Sequence, residues 1–136
     1  MRARSSKEKI MMMIEKGVIA MAEILARTSN VGRYEEYLLM KSQDGQSLRD
    51  MVGEVLDVDA FVIYERQNAE TGEPEKAFSM FTPEKEVFGS GSQAFCETFL
   101  NSILECFEPD EVKRIKICAK QSKKTGHTYI YPVYLP

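Results

Sequence analysis

The sequence predicts an α+β domain that is mainly β, on three observations. Residues 51–66 (MVGEVLDVDAFVIYER) are dense in β-branched and aromatic types. Residues 112–120 (VKRIKICAK) alternate apolar and charged side chains at period two. Between them, residues 93–107 (QAFCETFLNSILECF) place Phe95, Phe99, Leu100, Ile103, Leu104 and Phe107 on one helical stripe. At 136 residues and 15.5 kDa the chain suits one domain whose core needs no metal or disulfide.

The first segment reads as a helix. Ser5 and Glu8 have capping-box spacing, and Ile10, Met13, Ile14, Met21, Ile24 and Leu25 recur at helical intervals. Gly17 weakens that helix by about 1 kcal/mol relative to alanine, and residues 28–32 end it. Residues 33–42 fit either helix or strand, and a turn follows at 43–46. Residues 1–46 are therefore expected to form an N-terminal helical extension and 47–136 the main domain.

Within 51–66, Leu56, Val58, Ala60, Val62 and Tyr64 share one face of a strand; Val55, Phe61 and Ile63 share the other with Asp57, Asp59 and Glu65. Gly53 permits a bend, which a strand serving both halves of a small barrel requires. A polar hairpin loop spans 68–74. Short strands are expected at 76–81 and 86–89, with Phe78 and Met80 on one face and Ala77, Ser79 and Phe81 on the other. Ser92 is a good N-cap for the helix, and Glu108-Pro109-Asp110 stops it. In 112–120, Ile115, Ile117 and Ala119 face inward, and Arg114, Lys116, Cys118 and Lys120 face out. Residues 127–135 (HTYIYPVYL) form the closing strand, an edge by virtue of Pro132.

Three strands, a helix and two more strands is the order of a five-stranded OB-type β-barrel with a helix between strands 3 and 4. That fold takes oligonucleotides or oligosaccharides on the face of strands two and three and on the loops joining strands one to two and four to five.

The formal net charge of −3 excludes a uniformly basic protein but conceals a local asymmetry. Residues 112–127 hold Lys113, Arg114, Lys116, Lys120, Lys123 and Lys124 and no acid. This tract lies on the fourth strand and the loop after it, where an OB barrel would hold a phosphate backbone. Lysines at such positions also protect strand edges from mispairing. Aromatic residues are plentiful: Tyr64, Phe78, Phe81, Phe88, Tyr129, Tyr131 and Tyr134. Single-strand binders join a cationic groove to such stacking platforms, although a small barrel needs about half of these rings for its core. The candidate nucleic-acid contacts are thus Arg114, Lys116, Lys120, Lys123, Lys124, Tyr129, Tyr131, Phe78, Phe81, Phe88 and Tyr64.

Cys96, Cys106 and Cys118 form no CxxC pair and His127 is the sole histidine, so neither a zinc site nor another cofactor is expected; reduced core cysteines in a cytoplasmic protein are. The N-terminal apolar stretch is broken by Glu15, Lys16 and Glu23 and reads as neither signal nor membrane span. No GxSxG, P-loop, GxGxxG or HExxH occurs, and an enzyme is not expected.

The run Ser47-Leu48 through Val52-Gly53-Glu54-Val55, the GSGSQAF helix start, and Ser122-Lys123-Lys124-Thr125-Gly126-His127-Thr128-Tyr129 resemble the divergent OB-fold single-stranded-DNA-binding proteins of phages and conjugative plasmids of Gram-positive bacteria. The resemblance covers about residues 47–135. It implies binding of single-stranded DNA without strong sequence specificity, in replication, recombination or conjugative transfer, and self-association through the N-terminal helix. The chain departs from that group in lacking tryptophan and a long acidic, glycine-rich C-terminal tail. The competing expectation is a protein–protein interaction module in a larger assembly with no nucleic-acid contact.

Overall fold

The computed structural model describes residues 8–13, 19–32, 35, 45–68 and 70–136. Among these the strands are β1 (Glu8–Met13), β2 (Ile19–Arg27), β3 (Gln46–Ser47), β4 (Val55–Asp57), β5 (Ala60–Gln67), β6 (Pro74–Phe81), β7 (Val87–Ser90), β8 (Arg114–Gln121) and β9 (Thr128–Tyr134). They form a six-stranded sheet in the order β1-β2-β5-β6-β7-β3 and a three-stranded sheet in the order β4-β8-β9. All neighbours are antiparallel except β3 and β7. The described residues are mostly β, with the main helix at 93–106.

The long strand expected at 51–66 joins the two sheets. Its first part, β4, pairs with β8, and its second part, β5, pairs with β6 and β2. The chain crosses between sheets where Val58 N donates to Lys113 O (2.9 Å) and Asp59 N donates to Phe81 O (2.9 Å). This crossing slips the alternation by one residue. Leu56 and Val58 consequently share the main core with Phe61 and Ile63, while Ala60, Val62 and Tyr64 lie in a second cluster. The expected single face from Leu56 to Tyr64 is corrected accordingly: a period-two pattern does not survive a bend. Gly53 sits at φ +91°, and its N–H reaches Ile117 O at 2.7 Å, so the anticipated special backbone is present just before β4.

The main core fills the space between the sheets and helix α1, which runs from Gln93–Thr98 through a wider π-type turn at Phe99–Ile103 to a last turn at Leu104–Cys106. Ser92 Oγ caps it by accepting from Phe95 N (3.2 Å). Phe99 packs against Phe61 and Phe78 with ring centroids 4.9 and 5.1 Å apart, and Phe95 meets Phe78 edge-on at 5.1 Å. Of the predicted helical stripe, Phe95, Phe99 and Ile103 are buried in the core and Leu100, Leu104 and Phe107 pack partly buried against it. The smaller cluster, Ile24, Val31, Ala60, Val62, Tyr64 and Ala77, covers the opposite face of the six-stranded sheet.

Two expectations are corrected here. The sheets do not close into a barrel. Closure would require the third strand of the OB order, β7, to pair with the fifth, β9, but the outer edge of β7 is taken by β3 through Gln46/Phe88 and Ser47/Gly89. The expected N-terminal helix is not what its described residues show: 8–13 and 19–27 lie in strands β1 and β2, and β2 adds to the free edge of β5. Ile19–Arg27 is apolar enough to suit either structure, and pairing with an otherwise open strand outweighs local helical spacing. The capping box at Ser5 and nearly all of residues 33–42 lie outside the described residues.

Candidate nucleic-acid interface

The register of β8 with its two neighbours decides which side chains share a face. Across the antiparallel ladders, Val55 faces Lys116 and Asp57 faces Arg114, while Lys116, Cys118 and Lys120 face Val133, Tyr131 and Tyr129. Ile115 and Ile117 are fully buried on the inner side of β8, and Ile130 is buried on the inner side of β9. The outer side of this three-stranded sheet therefore carries Val55, Lys116, Val133, Cys118, Tyr131, Lys120 and Tyr129 together. The lysines are exposed and the two tyrosines half-buried. Val55, 48% exposed, and nearby Val52 are the two exposed large hydrophobic residues among the described residues.

The tyrosine rings are neighbours, with centroids 6.2 Å apart and planes inclined at 48°. Past the end of the ladder the loop is held in one shape. Ser122 N donates to His127 O, Gly126 N donates to Ser122 O (both 2.8 Å), and Gly126 takes φ +74°. Exposed Lys123 and Lys124 sit on this tip.

Arg114 belongs to the same face but is engaged: its Nε lies 3.3 Å from Asp57 Oδ1. Phe78 and Phe88, 1% and 2% exposed, are core side chains and cannot stack on bases; the face of β6 bearing Phe78 and Met80 points inward. Phe81 is half-buried on the other face of the six-stranded sheet, with Lys85 Nζ 5.7 Å from its ring centre. Tyr64 is 4% exposed beneath Arg66, whose guanidinium lies 5.9 Å from the ring centre. Burial pushes its phenol above the ordinary value against the opposing charge of Arg66. The expected contacts thus separate. Lys116, Lys120, Tyr129 and Tyr131 gather on one face with Lys123 and Lys124 beyond it, whereas the phenylalanines and Tyr64 do not join them. Val55 was expected to share a face with Phe61 and Ile63, but those two are buried whereas Val55 is exposed on the outer side of β4, and Val133 was not singled out as a contact.

A concavity of about 440 Å³ lies elsewhere, on the outer side of β5, β6 and β7, and includes Arg49, Tyr64, Arg66, Ser79 and Gly89. Its cationic character is reduced because Arg66 Nε is paired with Glu75 at 3.0 Å. Hydrogen bonds from Asn68, and next from Arg66, hold the Glu75 carboxyl below its ordinary value, so this pair stays charged.

Of the cysteines, Cys96 is in the core and Cys118 is half-buried on the basic face, where the alternation of β8 placed it, while Cys106 is exposed, so the general expectation of core thiols holds only for Cys96. Among the described residues, no group of three His, Cys, Asp or Glu side chains could hold a metal ion, and no helix is long and apolar enough to cross a membrane. No protein-family model, curated protein or solved structure matches the chain.

Proposed function

We propose that this protein binds single-stranded nucleic acid, DNA in the first instance, on the outer face of β4-β8-β9. The observation that carries the reading is the side-by-side placement of Lys116 and Lys120 with Tyr129 and Tyr131 on one accessible face. Cations beside aromatic rings supply the two components of sequence-tolerant single-strand binding: neutralised phosphates and stacked bases. Residues 112 to 136 contain no acid, and Asp57, which shares this face from β4, is paired with Arg114, which leaves Lys116 and Lys120 as unopposed positive charge despite the net charge of −3. Lys123 and Lys124 extend it along the loop. An OB-like arrangement of β5, β6, β7, β8 and β9 about α1, left open between β7 and β9, is consistent with this use, as is the likeness to phage and plasmid single-strand binders.

The test is a titration of fluorescent oligo(dT), a few tens of nucleotides long, at two or more salt concentrations. Binding that weakens with salt, with a log–log slope of about −0.7 per neutralised phosphate, supports the proposal. No binding at low salt removes it. The exposed Val52 and Val55 favour the other reading, a protein partner docking on this face, and that reading would then take its place.

A further inference from the structure

We infer, taking the proposed single-strand platform as its premise, that the Tyr129–Tyr131 pair accepts an unstacked dinucleotide step, one base per ring, and therefore rejects bases stacked on each other. The two residues are two apart on β9 and project from the same face, which spaces their Cα atoms by about 6.8 Å along a strand. Their ring centroids keep nearly that separation, 6.2 Å, and the planes are tilted by 48°. Consecutive bases in a helical stack are only about 3.4 Å apart and nearly parallel. A stacked pair can thus cover one ring but cannot seat on both.

A strand pulled out until each base finds its own ring matches the spacing. The cations are placed for such a strand. Lys120 stands opposite Tyr129 at one end of the pair, and Lys116 lies beyond Tyr131 at the other, opposite Val133. Phosphates on both sides of the seated step are therefore within the field of a lysine. Duplex DNA, whose bases are already stacked and paired, offers no such step.

The inference is tested with matched oligo(dT) and oligo(dA), the first weakly and the second strongly self-stacked. The wild-type protein is expected to bind oligo(dT) about tenfold more tightly, because seating adenines first breaks a base stack. Salt slopes should be equal, since the phosphates are the same. Tyr131→Leu keeps an apolar side chain on the strand and should bring the two affinities within about twofold, chiefly by weakening oligo(dT) binding. A second measurement needs no variant: replacing the thymines by abasic sites should remove the advantage over oligo(dA) at unchanged salt slope. Equal binding of oligo(dT) and oligo(dA) by the wild type, or tighter binding of oligo(dA), overturns the unstacked step and leaves the single-strand reading standing. Failure to bind either oligomer overturns that reading itself.

Discussion

Lys120 and Tyr129 face each other directly across the β8–β9 ladder, on the side of the sheet away from the core. This pairing places a charge and a ring within reach of one nucleotide, and the two groups should answer differently to substitution. Lys120→Ala and Lys116→Ala are each expected to weaken oligo(dT) binding and to reduce the salt slope by about 0.7, because each removes one phosphate contact. Tyr129→Ala is expected to lose about 1–3 kcal/mol of binding with the slope unchanged. Titrations at several salt concentrations separate the two; slopes unaltered in both lysine variants would locate the strand elsewhere.

Phe78 gives the contrasting case. It is fully buried and meets Phe61, Phe95 and Phe99. Phe78→Ala should lower the unfolding free energy by about 3–5 kcal/mol, read from urea denaturation. Half-buried Tyr131, changed to Leu, should lose under about 1.5 kcal/mol. Similar losses at both positions would contradict the assignment of one ring to the core and the other to the surface.

A pair of glycines isolates backbone strain from packing. A methyl group at either Gly53 or Gly91 would meet no atom within 4 Å, yet Gly53 holds φ +91° and Gly91 has no such conformation. Gly53→Ala should therefore destabilise by about 1–2 kcal/mol. Gly91→Ala should be neutral or slightly stabilising, since alanine there restricts only the unfolded chain. Thermal unfolding of the two variants side by side reads the difference.

Much of this arrangement was legible because local and long-range demands agreed. Residues 112–120 have one apolar face, so they could only turn Ile115 and Ile117 inward and the lysines outward. The 93–107 stripe, with Ser92 before it, left little choice but a capped helix. Pro132 also reads correctly as an edge residue. Leu135 N donates to Arg114 O, and by alternation from that bond Pro132 falls where its absent N–H points to the open side of β9 rather than to β8. What was not legible depended on partners far away in sequence. Whether β2 is helix or strand is decided by the free edge of β5, and barrel closure is decided by whether β3 reaches β7 first. The face change at Asp59 arises from a junction between two sheets, which no local periodicity records. For the site, the charges could be read directly, but selecting two tyrosines from six candidate aromatics required the ladder register.

The core thiol makes the stability of the protein sensitive to alkali. Burial pushes Cys96 up to about 12, whereas an unfolded cysteine ionises near pH 8.5. The folded state therefore keeps a proton that the unfolded state releases. Its contribution is complete below about pH 8.5 and is lost as pH rises toward 12, with a slope approaching about 1.4 kcal/mol per pH unit. Tyr64, whose phenol is also raised by burial, adds a loss in the same direction above about pH 10. Cys96→Ala should be less stable at neutral pH because it leaves a small cavity, yet its unfolding free energy should fall less steeply between pH 9 and 11. Cys106, exposed, should be alkylated in the native protein well before Cys96, which should react only on unfolding. Equal alkaline slopes in the variant and the wild type, or rapid native labelling of Cys96, would contradict the buried, protonated thiol.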